Sequence, residues 1–356
     1  MGRPIGDRNQ SERGVVRLRR HRRFICSLIA VIAASLLLPL LLRPVLQIPA
    51  AQAAFVGNTN QRANFWRAVR EGRSGFTAVQ GAERGVLIQN GGENWRHIRN
   101  GWVSWITPWM VGLMLAAIIA FYLYRGRIRV EKPLSGRKVD RWSMVERFLH
   151  WYTAILFIVL AVTGASLLFG RAVLIPIMGR QSFGAYAQYC KDLHNYIGPL
   201  FTIGVAVMIF LWLKDNIPRQ SDLEWVRKKG GMMKHGEHAS AGRMNGGEKL
   251  WFWFMATFGV LVIASGFVMD FPNFGQSRNV MQIANVVHSV LAMAWLALSL
   301  GHIYIGTLGT EGALEGMVTG KVSEEWAEQH HDRWLARQRD KQGGQEAGTG
   351  TAQIPG

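Results

Sequence analysis

The sequence is short of charge. Asp, Glu, Lys and Arg make up 18% of its 356 residues, against roughly 25% in ordinary soluble chains. With 49% of residues hydrophobic, that excludes a disordered polyelectrolyte. Acid is scarcer than base, 23 residues against 41 for a formal charge of +18. The basic residues form no continuous face, which argues against nucleic-acid binding. They gather at the ends of long apolar runs, as in a membrane protein. Cysteine is nearly absent: Cys26 and Cys190 cannot build a disulfide framework or a four-cysteine metal site. No C-x-x-C-H motif occurs, so covalent c-type haem attachment is excluded. Any redox group must be held by something other than sulfur. Internal repeats and the period-2 alternation of a membrane barrel are also missing.

Long apolar runs are present. About 20 apolar residues cross a bilayer as a helix, and six runs qualify, near 24–42, 105–124, 149–169, 195–213, 250–269 and 284–308. The last five contain no Asp, Glu, Lys or Arg. Backbone groups in lipid must be satisfied within the segment, so helices are predicted. The first run follows a basic stretch from Arg17 to Arg23 and ends in Ala51-Gln52-Ala53. That is the layout of a signal peptide cleaved after Ala53, or of an uncleaved anchor. Either places 54–104 outside the cytoplasm. The linker 125–147 and the loop 214–249 each carry eight or more Lys and Arg. The loops 170–193 and 270–283 carry only Arg171, Arg180, Lys191 and Arg278 as basic residues. Positive-inside then puts the two basic segments and the C-terminal tail in the cytoplasm. Trp102, Trp105, Trp109, Trp142 and Trp151 suit interfacial belts. From about Ala336 the tail is rich in Gly, Gln, Lys and Thr, and disorder is expected there.

Four of the ten histidines fall in or at the edge of the last four runs: His150, His194, His288 and His302. Ionisable residues there are expensive and mark function by default, although a lone one is more often a hydrogen-bonded interfacial residue. Their depths match in pairs. His288 and His302 are 14 positions apart on one run, about 21 Å along a helix and nearly four turns. Alternation therefore sets His288 level with His194 at the outer side, and His302 level with His150 at the cytoplasmic side. Two bis-histidine sites follow, one near each surface. Pairs of imidazoles from facing helices suit b-type haem, which takes two axial ligands; zinc prefers four. Gly164, Gly198, Ala292 and Ser299 would let a flat macrocycle approach, or would serve helix packing alone. His21, His97, His235, His238, His330 and His331 are expected to be solvated, the last two on a surface helix over 322–335.

These residues resemble a known family. From about Val139 to Trp334 the chain is similar to the cytochrome b (gamma) subunit of membrane-bound respiratory formate dehydrogenase. The matching pieces include Arg147-Phe148-Leu149-His150-Trp151, Asp192-Leu193-His194 before Gly198, and Asn216-Ile217-Pro218. Further pieces are Asn245-Gly246-Gly247-Glu248-Lys249, Val287-His288, Gly301-His302-Ile303-Tyr304, and Gly316-Met317 to Ser323 with Trp326 through Trp334. The resemblance implies two b haems as cofactors, the outer on His194 and His288 and the cytoplasmic on His150 and His302. It implies partner subunits, one catalytic with molybdenum or tungsten and one carrying iron–sulfur clusters. It also implies electron delivery to menaquinone or ubiquinone near Asn245, Gly247, Lys249 and His302. Asn245 and Lys249 would donate to a quinone carbonyl and Glu248 would relay a proton; the alternative is that the loop only caps a helix. Glu248 stands where the family has glutamine.

The expected fold class is an all-α membrane protein, a four-helix transmembrane dihaem bundle preceded by one extra transmembrane helix and a signal peptide or anchor. Its expected divisions are 1–53, a periplasmic segment 54–104, the extra helix 105–124, a linker 125–147, the dihaem core 148–310 and a cytoplasmic segment 311–356. The expected setting is the bacterial inner membrane, with the catalytic partners facing the periplasm and lipid around the helices. The cytochrome b subunit of another respiratory oxidoreductase, such as a nickel–iron hydrogenase or thiosulfate reductase, is the alternative; a haem-free anchor is a third.

Overall fold

The structure, a computed structural model, describes residues 90–233 and 238–349. The first apolar run with its signal-peptide or anchor reading, His21, Cys26 and His235 lie outside the described residues. Among the described residues five helices are long and apolar enough to cross a membrane: Asn94–Arg125, Met144–Met178, Arg180–Trp212, Gly246–Asp270 and Arg278–Gly309. Each contains one of the five charge-free runs, because a helix closes its backbone hydrogen bonds internally. The first begins before Trp105. Asn90–His97 (α1) passes through a π-helical stretch, Ile98–Val103, into Ser104–Arg125 (α2). Pro108, which has no N–H to give, sits just beyond that stretch. The hydroxyls of Ser104 and Thr107 donate back to the carbonyls of Arg99 and Val103 at 2.7 Å each.

The chain forms two compact units. The described part of one is Phe157–Ile197, the carboxyl half of Met144–Met178 (α3) and the amino half of Arg180–Trp212 (α4). The stretch 170–193, expected as a loop, is helical except at Gly179, whose φ of +77° makes the turn. Two contacts hold the helices together so far beyond the apolar runs. Ser166 Oγ and Tyr186 Oη lie 2.9 Å apart, and the ring of Phe183 occupies the space that a Cβ at Gly170 would need.

The second unit holds Gln220–Arg227 (α5), Gly246–Asp270 (α6), Arg278–Tyr304 (α7), Ala313–Thr319 (α8) and Glu324–Thr349 (α9). α6 and α7 pack where Gly259 admits the ring of Trp295: a Cβ there would lie 3.2 Å from it. Trp295 also meets Phe201 at 5.5 Å. α2 packs on α7 through an edge-on contact of Phe121 with Tyr304. At the Arg-rich end the linker and the C-terminal segment fold together. Lys138–Asp140 (β1) pairs antiparallel with Lys321–Ser323 (β2), Val139 opposite Val322. Val322, Trp326, Ala327, Trp334 and Leu335 bury a small core against Val130 and Val139. Gly320 holds φ +84°, and a Cβ there would meet the carbonyl oxygen of Trp142 at 2.8 Å.

Two expectations fail at this end. The tail is not structureless from Ala336: α9 continues to Thr349, nucleated by buried Trp334 and Leu335 and clasped where Arg339 pairs with Glu324. His330 and His331 are not solvated. His331 is fully buried, with Nδ1 2.9 Å from the carbonyl oxygen of Gly242 and Nε2 3.2 Å from Arg141 Nη2. Because the guanidinium only donates, Nε2 accepts and Nδ1–H donates. Trp326 packs on both rings, and His238 meets His330.

Glu146, buried at the start of α3, is the junction of the second unit's polar end. It accepts from Ser143 N and Oγ at 3.0 and 2.9 Å, from Trp212 Nε1 at 2.9 Å and from Arg243 Nη2 at 2.6 Å. A buried charge stripped of its partner is costly. Glu146→Ala is expected to destabilise the chain by about 3 kcal/mol, read from thermal unfolding in detergent. Burial, with the charge of Arg141 added, holds His331 well below its ordinary value, and burial pushes His330 down to about 3. An unfolded chain would protonate both near pH 6.5. Their contribution to stability is therefore complete above about pH 6.5 and is lost as pH falls below it. Amide-exchange protection in the first part of α9, taken relative to the intrinsic rate at each pH, is expected to fall between about pH 7 and about pH 5, and His331→Gln to remove much of that dependence.

Candidate functional site

Each of the four span histidines sits on a helix that its sequence specifies, and the second unit brings two together. His150 lies two turns into α3 and His302 in the last turn of α7. Their ring centroids are 6.2 Å apart at an interplanar angle of 56°. That spacing accommodates one metal ion with a nitrogen bonded on either side, at about 2 Å per bond. His150 Nδ1 is buried without a hydrogen-bond partner, a state that costs energy unless another group completes the site. The indole of Trp251 lies flat against His302, 4.6 Å between centroids at 6°, and Trp151 stands edge-on to His150 at 5.1 Å. The indole N–H of Trp151 donates to the carbonyl of Met317 at 3.0 Å, fixing that ring. The residues present fit a haem held between two imidazoles.

The other two histidines are each seated by the preceding span in the same way. In the first unit His194 Nδ1 lies 2.8 Å from Thr163 Oγ1, and its ring lies over Gly164, where a Cβ would meet Cε1 at 3.2 Å. In the second unit His288 Nδ1 lies 2.9 Å from the carbonyl oxygen of Val262 and 3.4 Å from Ser265 Oγ. Its ring lies over Gly266, where a Cβ would again meet Cε1 at 3.2 Å. A partner on Nδ1 orients the ring and directs Nε2 to a metal, the usual arrangement behind a histidine ligand. Gly164, expected to make room for a macrocycle, makes room for an imidazole, and Gly198 has nothing within 4 Å of its Cβ position. Thr163, Ser265 and Gly266 were missed in the sequence. The signal was a hydroxyl residue followed by glycine in each of two spans, Thr163-Gly164 and Ser265-Gly266.

The residues expected at a quinone are engaged in the local structure. Asn245 is the N-cap of α6: Oδ1 accepts from Glu248 N at 2.9 Å, and Glu248 Oε2 accepts from Asn245 N at 2.8 Å. Asn-Gly-Gly-Glu thus forms a capping box. Gly247 gives way to Trp225, whose ring would meet a Cβ at 2.8 Å. Lys249 is buried and donates to both carboxylate oxygens of Asp222, at 3.0 and 2.8 Å. Glu248 also accepts from Arg141 Nη2 at 3.2 Å. Of the four, His302 alone joins the histidine pair. Asn245→Ala is expected to cost about 1 kcal/mol through loss of the cap, read from thermal unfolding.

Residues 141–320 match the family model of prokaryotic cytochrome b561. The formate dehydrogenase cytochrome b556(fdo) subunit of Escherichia coli K12 is 32% identical over 199 residues, 55% of this chain and 91% of that protein. The nitrate-inducible formate dehydrogenase cytochrome b556(Fdn) subunit of the same strain is 27% identical over 204 residues, 56% and 91%. The formate dehydrogenase cytochrome b556 subunit of Haemophilus influenzae is 31% identical over 205 residues, 56% and 83%. The stretch 141–320 takes in the helices that carry the four histidines. With its long apolar helices and the histidines they carry, this multi-pass membrane chain belongs to the prokaryotic cytochrome b561 family, a family of haem b proteins, and resembles within it the cytochrome b subunits of formate dehydrogenases.

Proposed function

We propose that the chain is the dihaem electron-transfer subunit of a formate dehydrogenase complex in a bacterial inner membrane. His150 and His302 hold one haem b, and His194 and His288 hold the other. The single observation that carries this reading is the close approach of His150 and His302, 6.2 Å between ring centroids. Haem bound at each pair supplies one-electron redox chemistry at iron. The chain's own part is to hold that chemistry in place and out of water. Thr163 and the Val262 carbonyl keep His194 and His288 oriented, and Trp251 keeps His302 from rotating.

The linker 125–147 and the segment 214–249 carry the excess of Arg and Lys, which supports placing that end in the cytoplasm. The His194 and His288 end then faces the periplasm. There the complex's iron–sulfur subunit delivers electrons drawn from formate at its molybdenum or tungsten subunit. Delivery outside and uptake inside make the transfer electrogenic. The quinone, menaquinone or ubiquinone, is reduced at the cytoplasmic end beside Asn245, Gly247, Lys249 and His302. Asn245 serves the cap with Oδ1, and its amide N–H is the donor proposed for a quinone carbonyl. Lys249 is held by Asp222 and adds positive potential where charge builds on the quinone oxygen.

The test is a reduced-minus-oxidised visible spectrum with pyridine haemochrome quantitation on the purified chain. Two b haems per chain are expected. His150→Ala and His302→Ala should each leave one, the same one, and His194→Ala and His288→Ala should each leave the other. A haem-supplied, folded chain with no haem, or a variant pair that removes different haems, overturns the assignment.

A further inference from the structure

Below the apolar part of the second unit lies a cavity of about 1190 Å³ with an unusual lining: ten Lys or Arg side chains and three Asp or Glu. It sits where spans end. Met144 opens α3, Lys214 follows α4 and Lys249 lies in the first turn of α6, and all three line it.

The acids in the lining are already committed. Glu146 and Asp215 pair with Arg243, and Asp140 pairs with Lys321. Acids outside the lining take two more cations: Glu248 pairs with Arg141 and Asp222 with Lys249. Among the described residues no ion pair is made by Lys214, Arg219, Arg337 or Lys341. Two guanidiniums in the wall also have buried nitrogens without hydrogen-bond partners: Arg141 at Nε and Nη1, and Arg147 at Nε. Arg141 is only 4% exposed. Trp142, Trp326 and Trp334 lie 5.0, 5.7 and 5.0 Å from its carbon. Those rings stabilise the charge across the face of the guanidinium. They do not accept the N–H groups in its plane, and a buried donor without an acceptor is costly.

A phosphate-type anion removes that deficit. Its oxygens accept from guanidinium nitrogens two at a time, and its charge balances the unpaired cations. Two sources could bring that chemistry, a lipid headgroup or free phosphate, and the surroundings favour the lipid. The first turns of α3, whose Met144 lines the cavity, present apolar side chains outward: Met144 is 78% exposed, Val145 69% and Phe148 70%. The cavity rim therefore runs directly onto a surface suited to acyl chains. Basic pockets at the ends of membrane helices are where acidic headgroups bind.

We propose that this cavity is a binding site for the phosphodiester headgroup of an anionic phospholipid, with Arg141 and Arg147 as its buried donors and Arg219, Arg337 and Lys341 as its outer cations. The site uses residues of the linker and of α9 together. None of the four span histidines lines it, whereas Lys249, placed above beside the quinone, does.

The experiment is native mass spectrometry of the full chain in a neutral detergent containing equimolar phosphatidylglycerol and phosphatidylcholine. One phosphatidylglycerol is expected to be retained in preference to phosphatidylcholine. Arg219→Gln with Arg337→Gln is expected to weaken retention by about five-fold for each charge removed. These are surface side chains, so the variant folds independently of the buried Arg141. Lys132→Gln, outside the cavity and paired with Glu328, is expected to leave retention unchanged. Equal retention of the two lipids, or an equal loss in the Lys132→Gln control, overturns the proposal. Displacement of the lipid by millimolar inorganic phosphate also overturns it, and makes the cavity a free-anion site.

Discussion

A neutral imidazole inside a bundle of apolar helices offers one donor and one acceptor, and hydrocarbon satisfies neither. His194 and His288 have Nδ1 matched by a group on the preceding span. In both cases the ring reaches that group by lying over a glycine, Gly164 beside Thr163 and Gly266 one turn beyond Val262. The glycine lets the ring lie against the helix backbone, and the hydrogen bond sets its rotation. The helix that carries each histidine is therefore held at a distance and register that a larger residue would forbid. Packing of the small residues and orientation of the ligand are one constraint.

The Arg-rich end of the second unit solves the opposite problem, because there polar groups must be gathered without being left unpaired. Glu146 draws together the start of α3, the end of α4 and the approach to α6. Arg141 lies under three tryptophans and reaches both Glu248 and His331. His331 breaks the regular path of α9, with φ −150° and ψ 45°, and its ring makes contacts that a straight helix would not place there. The linker and the C-terminal segment thus form one lid, closed by two short strands. Its net positive charge exceeds what its own acids neutralise, and this surplus is what an acidic headgroup would meet.

The capping box at Asn245 shows how one short motif serves several needs. Its four residues start α6, and Glu248 within it anchors Arg141. A glycine in it accommodates Trp225, and the next residue, Lys249, pairs with Asp222 of α5. A rigid helix start near His302 is the kind of frame on which a redox partner can be positioned, because it does not reorganise when charge arrives.

The sequence by itself determined the spans and the chemistry they carry. Five runs without charge have few alternatives to helices, because lipid leaves the backbone no other partner. Four histidines within those runs stood out because ionisable groups are rare there. The turn chemistry of Asn245 to Glu248 was legible for the same reason: it is local. The tertiary structure decided what depends on distant residues. Arg141 and His331 are 190 positions apart, and nothing near either shows that each is buried by the other. The same holds for Thr163 beside His194 and for the helical course of 170–193. It also holds for α9, whose start is anchored by β2 and the core around Trp326. Composition along that tail is polar and Gly-rich, which reads as disorder; burial of Trp334 and Leu335 against the linker outweighed it.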